Sequence, residues 1–481
     1  MNHHARSGTR YPRNTRAFMA AGLLGLTILT AAAPAAFTPA AAQTGQKAPL
    51  PARLQGEEDI RYVVRKGDTL YSLAQDHMWR PTDWRPVQRL NRVRDPLRLL
   101  PGTTLIIPAR LLRTLPLTAH IAAFKGAGSI GNGAKGEIPL ALNQAITPGM
   151  TIETGKGGFV TLQLSNGSRL TLPSQTRIRV ATLRRFQLNG MVDVTFLLEK
   201  GRVETNATPV GDSGGRYRIR TPIAVSAVRG TVFRAEYDAA AALSRTEVVE
   251  GNVAVSDEDQ AAAQNIGKGF GAIVSTQGDI RREELLPAPE LLNPGKVQVD
   301  PQVAFTLKPL DKAQRYHVQI ARDPGFIEME QELYSTEPDT RFDDIGNGRW
   351  FVRASAVAAS GLEGMPQTYA MRRMRIDLAG SSGQEDDGAY RFRWNGEDDG
   401  AMVFHFRLRP DAPGSIPLVD EPGLSGTALS LTDIPPGKYR WTVGARRHED
   451  GESATNWLPE QSLIVADEEG TPRSGSGAKD R

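Results

Sequence analysis

Side chains able to do chemistry are sparse in this chain. There is no cysteine among the 481 residues, which rules out thiol nucleophiles, disulfide staples and a lipid-modified N-terminal Cys. Beyond the first few residues the histidines are His77, His120, His317, His405 and His448. Each is isolated, and no His-x-His, His-x-x-x-Asp or His-Glu-x-x-His spacing offers a zinc site. No Gly-x-Ser-x-Gly stands in the strand-to-helix setting of a nucleophile elbow. Fifty-four acids make any pairing of two carboxylates for glycoside cleavage uninformative. The glycine-rich run 126–136 is followed by no Gly-Lys-Ser/Thr and is flanked by strands, so it is not a phosphate loop. Asp386-Asp387 and Asp398-Asp399 read as solvated turns rather than calcium sites. The expectation is a protein that is not an enzyme, with no catalytic residue, no cofactor and no metal.

One stretch does suggest a ligand, residues 62–108. Asp68 and Thr69 can cap a helix whose positions Leu70, Leu73, Ala74 and His77 recur at helical spacing, and Gly67 frees the turn before them. A second short helix fits 84–90, with Val87 and Leu90 on one side. Pro101-Gly102 then turns the chain into a β-branched strand that can pair with Val63-Val64. Two strands and two helices on one face make a minimal two-layer core.

This order, with Gly-Asp-Thr-Leu near its start, Asn91 in the middle and Pro-Gly before the last strand, resembles the LysM domain. The resemblance implies a shallow groove that binds N-acetylglucosamine-containing glycans such as peptidoglycan. Carried over by position, one wall is Gly67, Asp68, Thr69 and Leu70, and the other is Pro96, Leu97, Arg98 and Leu99. The segment between the helices is longer than the simplest family pattern and holds Trp79 and Trp84. Indoles can stack on sugar faces or pack a small core, and both roles are open here.

From 117 to 282 the sequence reads as short strands joined by tight turns. Residues 159–164 and 168–172 alternate at period two around Asn166-Gly167, which supplies hairpin chemistry. Strands are also expected at 192–198, 199–203, 217–220 and 231–237. The string Thr221-Pro222, then Arg229-Gly230-Thr231-Val232-Phe233, then Glu250-Gly251-Asn252-Val253, resembles the FecR domain family. Known members of that family pass signals from an outer-membrane receptor to a sigma factor. Only sixteen residues precede the first apolar run here, too few for the cytoplasmic domain such regulators carry. Arg229, Gly230 and Thr231 are candidates for a partner surface, although Gly230 also suits a turn that Arg229 braces through loop carbonyls.

Two related units follow, at 287–376 and 390–466, with alternating aromatic and polar residues that resemble fibronectin type III-like β-sandwiches. Trp350, Tyr439 and Trp441 are expected in their cores. Residues 377–389, rich in Gly, Ser and acids, read as a linker, and 467–481 as a disordered tail. The fold class expected is therefore mainly β and multidomain: a small βααβ LysM-like module at 60–110, an all-β FecR-like domain and two β-sandwich modules.

Targeting completes the picture. Arg6, Arg10, Arg13 and Arg16 precede an apolar run at 17–29 and a small-residue stretch ending Ala40-Ala41-Ala42, the pattern of a signal peptide at 1–42 cleaved after Ala42. A spacer at 43–59 follows. Removing four Arg and no acid takes the formal net charge from +4 to zero, so the basic balance of the whole sequence does not point to nucleic acid. Residues 60–110, in contrast, carry ten Lys or Arg against four Asp, which suits a polyanionic envelope surface. The reading is a periplasmic or secreted envelope protein that binds peptidoglycan and an unidentified envelope protein. It contacts membrane only if the N-terminal segment stays uncleaved.

Overall fold

The computed structural model describes residues 59–133, 136–209, 215–228, 230–259, 263–292, 294–295, 297–395, 402–449 and 451–466. The expected signal peptide, the tail, Arg229 and all but the last residue of the 43–59 spacer lie outside the described residues. Among those described, no helix is long and apolar enough to cross a membrane.

The first module is β1 (Ile60–Val63), α1 (Leu70–His77), α2 (Trp84–Asn91) and β2 (Thr104–Ile107). The strands pair antiparallel, with Ile60 opposite Ile107 and Val63 opposite Thr104. Alternate residues Ile60, Tyr62, Leu105 and Ile107 face the core, as a pleat one side of which is covered requires. Helix α1 buries Leu70, Leu73 and Ala74. Helix α2 departs from expectation, because it buries Val87 and leaves Leu90 exposed. Its inner face runs through Trp84, Val87 and Asn91, and Leu90 falls to the side of that stripe.

The β-rich region that follows is one closed barrel, from Thr114–Pro116 to Ile280–Glu284, slightly wider than the 117–282 expected. The Asn166-Gly167 hairpin forms as a three-residue loop: the Gly167 N–H donates to Leu164 O at 2.9 Å and Gly167 adopts φ +90°. The two strands expected at 192–198 and 199–203 are one, Val192–Ala207. Its first half pairs with Arg177–Phe186 and its second, from Gly201 on, with Thr231–Asp238. Gly201 makes that change of partner possible. It sits at φ +82°, and a Cβ there would lie 2.7 Å from Gln175 O. The interior is filled by Ile121, Leu162, Leu170, Phe196, Phe233 and Val253, among others.

Two sandwiches complete the chain. In the first, Val303–Thr306 and Asp339–Phe342 pair, and a four-stranded sheet runs in the order Met329–Ser335, Ala313–Ala321, Gly348–Ala358, Gln367–Arg373. Trp350 is fully buried and its indole N–H donates to Gly346 O at 2.8 Å. In the second, Trp441 and Tyr439 are buried, and Phe392 meets Phe406 and Trp441 edge-on at 4.7 and 5.2 Å between ring centres. The expected 377–389 linker is corrected here, since Gly380–Gln384 is a strand paired in register with Tyr390–Trp394.

The domains are not beads on a string. The core of the first module is completed by Phe186, Leu188 and Met191 from the barrel. Arg113 straps the two together, its guanidinium donating to Met78 O at 2.6 Å and Gln75 O at 2.7 Å. The barrel meets the first sandwich through buried charge. Arg202, Glu204, Arg234 and Glu247 face His317, Glu332, Tyr334, Arg353 and Glu363. His317 is wholly enclosed: Nδ1 is 3.1 Å from Glu363 Oε2, Nε2 is 3.0 Å from Glu332 Oε2, and its ring stacks on Tyr334 at 4.0 Å.

Candidate functional site

The groove expected at 67–70 and 96–99 is built by two loops that hydrogen bonds close onto each other. Tyr62 on β1 donates its hydroxyl to Asp68 Oδ2 at 2.7 Å, and the Arg65 N–H donates to the same oxygen at 2.7 Å. Burial, with the Asp68 bond and charge, pushes the Tyr62 phenol up to about 12, so it stays a donor. Gly67, at φ +94°, makes the turn that brings Asp68 back over β1. The cap of α1 is therefore Thr69 rather than Asp68: Thr69 Oγ1 accepts from the Ser72 N–H at 2.9 Å, and Ser72 Oγ accepts from the Thr69 N–H at 3.0 Å.

The opposite wall is tied to this one directly. The Leu70 N–H donates to Pro96 O at 2.8 Å, so the two loops adjoin there. Asp95 Oδ1 accepts from the Leu97 N–H at 2.9 Å and shapes the second loop. Asn91 sets its position from below. One amide of Asn91 donates to Ile106 O and accepts from the Ile106 N–H, both at 2.7 Å, taking the place of a missing third strand beside β2. The same amide donates to Val87 O at 2.8 Å, which closes the end of α2.

Of the sequence-derived wall residues, Gly67, Leu97 and Arg98 are exposed, and Asp68, Thr69, Pro96 and Leu99 are half-buried. Leu70 is corrected: it is 0% exposed, so its side chain belongs to the core and only its backbone helps form the cleft. Neither indole reaches the groove. Trp84 is half-buried against the module core, with the Arg85 guanidinium 5.6 Å from its ring centre. Trp79 is 60% exposed but follows Met78, the C-cap of α1. An eight-residue helix, about 12 Å long, separates it from the groove end. Its backbone N–H instead meets Leu111 O at 3.0 Å, at the barrel junction. The aromatic ring that sequence reasoning missed is Tyr71, exposed in the first turn of α1 one residue beyond the groove wall. A tyrosine at an outward helix position was the available signal.

In the barrel, the expected partner surface becomes largely structural. Gly230 is at φ +83°, where a Cβ would lie 2.6 Å from Pro209 Cα. Thr231 is buried and donates its hydroxyl to Asn252 O at 3.0 Å, which joins the turn at Gly230 to the one at Gly251. Thr221 likewise closes its own turn, accepting from the Ala224 N–H at 3.0 Å. A Gly-x-Ser-x-Gly string, Gly211 to Gly215, connects two strands rather than a strand and a helix, and residues 210–214 lie outside the described residues.

Comparison with known proteins gives two family matches: the LysM domain over residues 62–108 and the FecR protein family over residues 150–254. No curated protein matches the chain. Among solved structures, a candidate anti-sigma factor from Parabacteroides distasonis is 21% identical, with a TM-score of 0.24, over 28% of this chain and 59% of that one. A two-domain fibronectin type III segment of chicken tenascin is 13% identical, with a TM-score of 0.21, over 38% of this chain and all of that one. The human OSCAR ligand-binding domain is 15% identical, with a TM-score of 0.16, at the same coverages. The chain thus carries a LysM domain and, after it, a FecR domain, within a mainly β multidomain architecture.

Proposed function

We propose that this is a non-catalytic protein of the cell envelope, exported to the periplasm, that holds peptidoglycan in the groove between the Gly67 and Pro96 loops and presents its FecR domain and sandwiches to a protein partner. The observation that supports the reading is the Leu70 to Pro96 hydrogen bond, which keeps the two loops of a LysM domain adjacent, with Gly67, Leu97 and Arg98 exposed on them. A shallow groove of this size offers backbone amides and a few apolar contacts to a sugar, so one module binds weakly.

Deleting residues 60–110 would uncover Phe186, Leu188 and Met191 on the barrel, so point substitution is the cleaner test. Leu97 is 65% exposed and contributes nothing to the core, which makes Leu97→Ser a change at the groove alone. Co-sedimentation of the full chain with purified sacculi should fall about fivefold in that variant. Failure of the unaltered protein to sediment would overturn the reading.

The FecR match favours a second reading, an envelope signalling component anchored by an uncleaved N-terminal segment. Crosslinking in cells that captures a cytoplasmic partner on an intact N-terminus would select it over the first.

A further inference from the structure

The LysM groove is rimmed by cations that no acid answers. Arg65 and Lys66 stand on the first loop, and Arg94 and Arg98 on the second. All four are exposed and none forms an ion pair among the described residues. The two acids of the same loops are engaged by loop hydrogen bonds: Asp68, half-buried, accepts from Tyr62 and from the Arg65 N–H, and Asp95, exposed, accepts from the Leu97 N–H. Some solvated arginines elsewhere are matched, as Arg177 is by Glu153 and Glu199, Arg409 by Glu460 and Arg440 by Asp411. Others, such as Arg185, Arg341 and Arg349, have no such match among the described residues; what sets the groove apart is four such cations on two adjoining loops. The excess of six positive charges in 60–110 thus includes four cations on the two groove loops, against the two acids Asp68 and Asp95.

Unanswered cations around a binding cleft raise the local concentration of anions and add attraction to ligands that carry them. A neutral N-acetylglucosamine polymer gains nothing from this arrangement. A wall glycan with carboxylates on its peptide stems gains an ion contact on each side of the sugar held in the cleft. We infer that the groove selects an anionic glycan over a neutral one, and that the stem carboxylates of peptidoglycan are the groups read by Arg65, Lys66, Arg94 and Arg98. This inference rests on the glycan reading above and adds to it the charge of the ligand.

The test uses the full chain and three solid ligands: untreated sacculi, sacculi whose carboxylates have been converted to amides with carbodiimide and ammonium, and chitin beads. Binding to untreated sacculi should weaken about tenfold between low and moderate salt, because exposed ion contacts are screened over that range. Amidated sacculi and chitin should bind more weakly, with little response to salt. The variant R65Q/K66Q/R94Q/R98Q should bind untreated sacculi about tenfold more weakly and lose its salt response. Its thermal unfolding should match the parent, because all four side chains are solvated. Equal, salt-independent binding to all three ligands would overturn this inference and leave the glycan reading standing. Binding to none of them would remove both.

Discussion

Asn91 shows what a single residue does in a module this small. Two strands cannot satisfy their own edges, and its amide supplies the donor and acceptor that Ile106 lacks. Asn91→Ala takes a partner from an exposed backbone N–H and C=O that water can reach, at a cost of about 0.5–1.5 kcal/mol. Hydrogen exchange at the Ile106 amide should accelerate accordingly, while amides in the distant second sandwich keep their rates. Sequence reading placed Asn91 in the motif but gave it no role, because a side chain bonding fifteen residues away leaves no periodic trace. That the loop at Gly67-Asp68-Thr69-Leu70 and the loop at Pro96-Leu97-Arg98-Leu99 adjoin was legible in those two strings. Leu70 was not: in one string the same leucine can serve the groove or the core, and only the helix phase decides. Trp79 and Trp84 carried the chemistry of sugar stacking without the placement for it.

At the scale of elements, alternation and turn chemistry identified the hairpin at Asn166-Gly167 and the strands around it. Positions with no side-chain signal went astray. Gly380–Gln384 has the composition of a linker, yet a Cβ on Gly380 would lie 2.8 Å from both Leu458 Cδ2 and the Trp441 ring, so glycine is there for close packing. Gly201 is a second case. Both Gly201 and Gly190 have positive φ, +82° and +72°, but only Gly201 is crowded, with backbone and side chain of residues 175 and 176 within 2.9 Å of a Cβ. Alanine at Gly190 should cost about 1 kcal/mol of conformational strain. Alanine at Gly201 should cost clearly more, since strain and overlap add and the bend between two partner strands is lost. Urea unfolding followed by tryptophan fluorescence separates the two, and equal midpoints would refute the role given to Gly201.

The whole molecule depends on junctions that no local pattern announces, because their charges come from strands more than a hundred residues apart. Burial would raise the Glu363 carboxyl, but Arg202, Arg234 and His317 hold it well below the usual range. Burial acts the same way on Glu204, and Arg353 and Arg202 bring it down to about 2. For His317, burial would favour the neutral ring, yet Glu363 and Glu332 leave its pKa raised. Glu247, whose Oε2 has no hydrogen-bond partner, is pushed up to about 7 by burial against the pull of Arg234 and Arg202.

The signs follow by linkage. Depressed carboxyls contribute stability above their ordinary value of 4.5, and lose it as pH falls toward 2. His317 and Glu247, both raised, contribute fully below their ordinary values of 6.5 and 4.5 and lose that contribution as pH rises through the folded values. The barrel and first sandwich should therefore melt at the highest temperature near pH 5 and lose stability toward pH 8. His317→Gln should flatten the alkaline limb of that profile. An unchanged slope in the variant would show that the imidazole is not charged in the junction. The LysM domain shares its core with the barrel, and the barrel is pinned to the first sandwich, so under the proposed function a glycan held at one end would fix the orientation of the surfaces offered to a partner.

The cleft between two loops is the claim on which the rest stands. Titrating the isotope-labelled full chain with a soluble N-acetylglucosamine-containing muropeptide and following backbone amide resonances tests it most directly. The amides of Gly67, Asp68, Thr69, Leu97 and Arg98 should shift together, and those around Trp79 and Gly230 should stay in place. Shifts confined to the indole segment, or none at saturating sugar, would contradict the account.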